Sequence, residues 1–503
     1  MLLGSDMSIQ ESTHSPAQAA GESGPARRPG LILAFLCLAG FMTFLDVSIV
    51  NVALPTIEDE LNISTTALQY VVTTYGMLLG GFLLLTGRLA DTLGRRRMLQ
   101  TGLLLFAGSS LLAGVSQNAA MLIGARGAQG LGAAFIATAA LSLLTNNFEE
   151  GPARNKALGA WGALSGLAAV AGVTLGGLLT DGPGWRWIFF INVPIGVIGA
   201  LVAPMVVGES RSAQRSKSFD VAGAVTLTAG LVLLIFTLGQ TVSDSNVPTG
   251  RVIGGFILSA ILLASFIVIE RRAKEPLMPL GIFRRPSLRA ANGIAILLLG
   301  TCVTLFFFAS LFMQQVLDYS AVKTGFAYVP LAVLTAVGAG VASQVVTKVA
   351  AKPVLLVGLA LAATGMMLLW RAPSDASYLT DVLPAFVLMG LGLGMSFVPL
   401  QVSAFAGIEE RESGLAAGLI NTAQEVGGAL GLAVAATYAF RRVDELTAKA
   451  HGVPALVQEA RTTVFHDAFL VGACFAAAAF VVTLVLLPFT KSSEQSAAVP
   501  AHA

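Results

Sequence analysis

Residues 87–97 read Gly87-Arg88-Leu89-Ala90-Asp91-Thr92-Leu93-Gly94-Arg95-Arg96-Arg97. They join two apolar runs, near 68–87 and 98–116, each about the 20 or so residues that a helix needs to cross a bilayer. The glycines permit a tight turn and close helix approach. Asp91 and the arginines can form ion pairs that break if the flanking helices part, and the basic run marks the loop as cytoplasmic.

Runs of the same kind recur outward from this loop. They lie near 31–54, 119–146, 157–180, 188–207, 220–240, 251–269, 287–312, 324–347, 354–370, 380–403, 413–439 and 466–489, which makes fourteen spans. Composition agrees, because only 12% of the 503 residues are charged, 55% are hydrophobic and mean hydropathy is +0.78. A soluble chain carries about 25% charge, so this is an integral membrane protein. Its net charge of +2 gives no concentrated basic surface for nucleic acid. Cys37, Cys302 and Cys474 lie within apolar runs, which argues against a disulfide framework or a metal site.

Of the basic residues, 21 fall on the side that holds both termini and the 87–97 loop, and 8 on the other. That bias predicts cytoplasmic termini. Trp185, Trp187, Trp370 and Tyr378 then fall at the outer interface, where aromatic side chains gather. Residues 87–103 also align without gaps on residues 343–359, an offset of 256 residues and eight spans. Paired repeats of this kind are a transporter signature. The expected organisation is a disordered cytoplasmic tail (1–30), an N-terminal six-helix bundle (31–207), two inserted spans with a basic cytoplasmic loop (208–286), a C-terminal six-helix bundle (287–489) and a cytoplasmic tail (490–503).

The 87–97 stretch resembles the loop signature of the major facilitator superfamily. Leu45 to Pro55 (LDVSIVNVALP), Arg126 to Ala134 (RGAQGLGAA) and Trp185 to Pro194 (WRWIFFINVP) are similar to motifs of its 14-span drug:proton antiporters of the EmrB/QacA type. The resemblance implies an all-α membrane fold of two six-helix bundles plus two inserted helices. It implies that Gly87, Asp91, Gly94, Arg95 and Arg96 form a conformational switch loop, and that Gly172, Gly176 and Gly177 form a helix-packing hinge. This chain departs from the fifth-span antiporter motif, because Val173 stands where proline is usual. Without proline the backbone hydrogen bond is kept and the kink lost, which softens the case for antiport over symport.

Three charged residues lie well inside spans: Asp46, Arg126 and Glu425. Ionisable side chains at membrane depth face a cavity or a partner. A carboxylate poised between the cost of burial and the attraction of an arginine can load and release a proton. The family motif carries the same aspartate, which points to Asp46 as the proton and cation carboxylate; a fixed ion-paired group is the other reading. Arg126 either tunes a carboxylate or holds helices together. Glu425 departs from the relatives, whose pattern has arginine-glutamine where this chain has Gln424-Glu425. It is expected either to face Asp46 across the cavity or to be a protonated carboxyl bonded between helices.

Gly390-x-Gly392-x-Gly394 and Gly127-x-x-Gly130-x-Gly132 lie in apolar helices without a preceding strand, so they read as packing surfaces rather than nucleotide loops. Phe306, Phe307, Phe308 and Phe312 either line a pocket or form a lipid-facing or core stripe. No P-loop sequence occurs, nor any recognisable catalytic constellation, so an enzyme is not expected. The resemblance implies a monomeric plasma-membrane carrier, bacterial by its arginine-rich and alanine-rich composition, with no cofactor and a proton gradient as energy source. Its partners would be protons, the lipid bilayer and small amphipathic or cationic drugs. A dedicated exporter of one natural product, a symporter and a passive channel remain the alternatives.

Overall fold

Inside a bilayer no water is present to bond backbone N–H and C=O groups, so spanning segments satisfy them within helices. The computed structural model describes residues 29–63, 65–210, 220–243, 248–273, 276–409, 412–449 and 454–489. Apart from Pro29 and Gly30, the expected tails fall outside these. The described residues form α1 (Pro29–Leu61), α2 (Thr65–Leu93), α3 (Arg95–Gly114), α4 (Ala119–Asn147), α5 (Pro152–Asp181), α6 (Trp187–Phe190), α7 (Asn192–Val206), α8 (Val221–Ser243) and α9 (Thr249–Arg272). The second half holds α10 (Pro286–Gln315), α11 (Ala321–Ala327), α12 (Val329–Val346), α13 (Ala351–Trp370), α14 (Leu383–Phe405), α15 (Ser413–Lys449) and α16 (Pro454–Leu486).

The pairs α6/α7 and α11/α12 are single crossings interrupted near Pro194 and Pro330, where proline removes a backbone donor. Eleven crossings are long and apolar enough to span a membrane on composition alone. Helices α3, α5 and α15 are also long enough to cross, which brings the described crossings to the expected fourteen. The outer segment 441–465 continues α15 and opens α16, with 450–453 outside the described residues.

Packing repeats between the halves. Helix α1 lies on α5 as α10 lies on α15, α2 on α4 as α12 on α14, α3 on α4 as α13 on α14, and α3 on α7 as α13 on α16. The two bundles meet where α2 packs on α15 and α5 packs on α12, again a symmetric pair. The offset of 256 residues is visible in the backbone. Gly94 caps the start of α3 at φ 112°, and Ala350, its repeat partner, caps α13 at φ 143°. Glycine adopts that region freely; alanine there is strained. Helix α8 belongs to neither bundle and packs on both α2 and α15, while α9 packs on α8.

The glycine runs of α4 and α14 are packing surfaces. A Cβ on Gly132 would lie 2.8 Å from Phe106 N, and one on Gly392 would lie 2.6 Å from Ala362 N. Phe308 and Phe312 are fully buried in the core, with Phe312 edge-on to Phe465 and Phe469, so Phe312 fills the core. Trp185 does not sit in an outer belt with Trp187, which is 50% exposed. It is fully buried and donates its indole N–H to Glu60 at 2.8 Å, because a buried indole donor needs a partner.

Candidate functional site

Helices α1, α4 and α7 converge on Asp46, which is fully buried. Arg126 donates to Asp46 Oδ2 in an ion pair. Gln129 and Asn192 donate to Oδ1 at 3.2 Å and 2.9 Å. Arg126 is itself held: its Nε donates to Val71 O at 3.1 Å, its Nη1 to Gln129 Oε1 at 2.9 Å, and its guanidinium lies 4.3 Å from the centre of the Tyr75 ring. Gln129 also donates to Ser110 Oγ at 2.7 Å. A buried charge persists only when paired and hydrogen-bonded, and this network meets that requirement. Gln129 and Asn192 lie inside the RGAQGLGAA and WRWIFFINVP motifs, yet their role was not legible there, because the contacts join residues 83 and 146 positions apart.

Glu425 lies in α15, partly buried, against Gly80 of α2, whose added Cβ would stand 3.1 Å from Glu425 Cβ. Among the described residues it has no hydrogen-bond or ion-pair partner. Tyr75 of α2 lies within electrostatic reach of Asp46, Arg126 and Glu425 together, so the N-terminal polar network and the C-terminal carboxylate share one aromatic neighbour. Sequence reading missed Tyr75, since an aromatic residue in an apolar span carries no signal of its own.

The 87–97 stretch closes one end of the bundles. Asp91 is fully buried and accepts from Arg95 at 2.8 Å and 3.2 Å, and from the backbone N–H groups of Gly414 and Leu415 at 3.0 Å and 2.9 Å. The last two belong to the first turn of α15, where unpaired N–H groups and the helix dipole favour an anion. This carboxylate therefore ties one bundle to the start of a helix in the other. Gly87 and Gly414 are in mutual backbone contact, and a Cβ on Gly414 would lie 2.7 Å from Asp91 Cγ. Ser413 adds a second tie, bonded to Ser142 at 2.7 Å and Asn146 at 3.0 Å.

Arg96 and Arg97 do not cross to the other bundle. Glu209, just after α7, accepts from Arg96 N at 3.2 Å and lies 3.8 Å and 3.6 Å from the Arg96 and Arg97 side chains. A Cβ at Gly94 would come within 2.6 Å of Glu209 Oε1, a flexible carboxylate that would have to shift, so the positive φ is the stronger reason for glycine there. Of the hinge glycines, Gly172 and Gly176 press on α1 at Ser48, Ile49 and Val52, whereas Gly177 has nothing within 4 Å of an added Cβ. Gly177 is not a packing contact, because it points off the α1 face.

Two pseudo-symmetric six-helix bundles, parted by a seam that holds polar groups and shut at one end by a breakable clamp, define a membrane carrier. The sequence profile of the Major Facilitator Superfamily matches residues 36–432, and the chain belongs to that superfamily. It is 36% identical to the puromycin resistance protein pur8 of Streptomyces alboniger, over 83% of each chain. It is also 36% identical to the cephamycin export protein CmcT of Amycolatopsis lactamdurans, over 80% of this chain and 84% of that one. Among solved structures it resembles the proton:xylose symporter XylE with a TM-score of 0.63 at 14% identity, covering 93% of this chain and 98% of that chain, which speaks for the fold alone.

Proposed function

We propose that this chain exports amphipathic, cationic drugs in exchange for protons by alternating access, acting as a monomer with both termini in the cytoplasm. Glu425 carries the reading. An unpartnered carboxylate at membrane depth, on the seam between bundles, attracts either a proton or an organic cation but not both at once, which is the requirement of an exchanger. Support also comes from the relatives named for puromycin resistance and cephamycin export.

In this mechanism the bundles 31–207 and 287–489 rock about the seam beside the hairpin of 208–286. With the inner end clamped by Asp91, the seam is loaded from outside by a proton at Glu425, which displaces the cation. A proton on Asp46 takes away the partner of Arg126. The released guanidinium, stacked on Tyr75, then strengthens the positive field felt at Glu425. The proton gradient drives the cycle. The name of the cephamycin relative favours one second reading, a dedicated exporter of a single natural product.

The test is dye and antibiotic transport in vesicles with an imposed pH gradient, comparing the natural chain, Asp46→Asn and Glu425→Gln. Loss of proton-driven accumulation in both variants is expected, with Glu425→Gln folded and inserted normally. Gradient-driven accumulation of cations by Glu425→Gln at the natural rate would overturn the role given to Glu425. Accumulation of one compound out of a broad panel would favour the dedicated exporter.

A further inference from the structure

The inserted hairpin carries a pair of acids that the transport mechanism does not use. Asp220 caps α8 by accepting from Gly223 N through Oδ1 at 2.7 Å, and Glu270 in the last turn of α9 accepts from Met278 N through Oε1 at 2.5 Å. Each acid is left with one buried oxygen that has no partner among the described residues, Asp220 Oδ2 and Glu270 Oε2. Both of these oxygens border the same notch. A Cβ added to Gly223 would touch Asp220 Oδ2 and lie 3.1 Å from Glu270 Oε2. Glu270 is only 4% exposed, so its orphan oxygen cannot turn to water. Among the described residues, the other charge within electrostatic reach of Glu270 is Arg88 of α2, whose Nη2 points instead at Pro276 O at 3.5 Å. Arg271 and Arg272 beside it are exposed.

Two carboxylates sharing one small space cannot both stay charged. A single proton between them removes the repulsion and satisfies both orphan oxygens with one O–H···O bond, which leaves no buried acceptor unpaired. We propose that Asp220 and Glu270 share one proton, a binding site separate from the Asp46 and Glu425 region. The site lies at the inner end of the hairpin and against Arg88, inside the switch loop. Loss of the proton sets two negative charges beside Arg88 and draws that arginine off Pro276, so the site reports cytoplasmic pH to the loop that clamps the bundles.

The experiment is an infrared pH titration of the full chain in lipid nanodiscs, following the C=O stretch of protonated carboxyl groups without substrate or gradient, so its outcome is independent of the transport reading. As pH rises, the natural chain is expected to lose a carboxyl band that Glu270→Gln lacks, with that variant still eluting as a folded monodisperse species. In Asp220→Asn the amide donates to the Glu270 carboxylate, and the midpoint should fall by about one pH unit or more. Identical titrations in the natural chain and both variants would overturn the proposal. So would a carboxylate band at this pair that shifts on adding Mg2+ or Na+ at fixed pH, since the occupant would then be a metal cation.

Discussion

Replacing Asp91 by Asn tests the inner clamp quantitatively. The carboxylate accepts four hydrogen bonds, but the two from Arg95 lie within one bundle and persist whichever way the bundles lean. Only the bonds from Gly414 and Leu415 exist in the inner-closed arrangement alone. Asparagine offers one acceptor oxygen and turns an N–H2 group toward donors, so at least one crossing bond is lost and the other loses its charge assistance. Bonds to charged groups contribute about 1.5–3 kcal/mol each, and a net loss of about 2 kcal/mol raises the inner-open population about 30-fold. With Cys37, Cys302 and Cys474 replaced, a Ser413→Cys probe reads this directly, because Ser413 is 2% exposed between the bundles. Its alkylation should accelerate about 30-fold in Asp91→Asn. A change of less than about threefold in a folded variant, a shift of under 0.7 kcal/mol, would refute the view that Asp91 holds the bundles together.

Other outcomes follow from single contacts. Ala350→Gly relieves strain at φ 143° and should raise the thermal unfolding midpoint in detergent, with a gain of about 1 kcal/mol. The repeat-related Gly94→Ala should do the reverse, as it also meets Glu209. Asp46→Asn strands the buried charge of Arg126 and should destabilise the chain by about 3–5 kcal/mol, part of which Asp46→Asn combined with Arg126→Gln recovers; equal melting of the single and double variants would argue against the pair as drawn. Gly172→Val should abolish folding or transport by pushing α5 from α1. Gly177→Ala, with open space around it, should fold and transport like the natural chain and gain up to about 1 kcal/mol of helix stability.

The sequence made the crossings, the repeat and the inner loop legible because each is local. Apolar length marks a span, and the 256-residue offset survives to the level of two unusual backbone angles at Gly94 and Ala350. What joins distant positions was not legible. Nothing in residue 46 announces that Arg126, Gln129 and Asn192 converge on it, and nothing in Trp185 distinguishes a buried indole bonded to Glu60 from one in an interfacial belt. Gly172, Gly176 and Gly177 look equivalent in a string, but 100° of rotation per residue turns the third away from α1. Glu270 lies one residue past the expected end of its span at 269, yet the fold buries it.

Helix α8 gives the carrier two unlike flanks. Its Val232 and Ile235 rest on Gly81 and Gly80 of α2, and it also touches α15, so it roofs the α2 and α15 seam from the lipid side. Of the two seams, the described residues place a roofing helix from outside the bundles on this one alone. A hydrophobic solute dissolved in the bilayer therefore meets a shielded wall on one side of the molecule and a bare one, along α5 and α12, on the other. The twofold likeness of the halves does not extend to how the membrane reaches them. Rocking must slide α8 along at least one of its two supports, and the side-chain-free surface of Gly80 and Gly81 makes α2 the smoother rail.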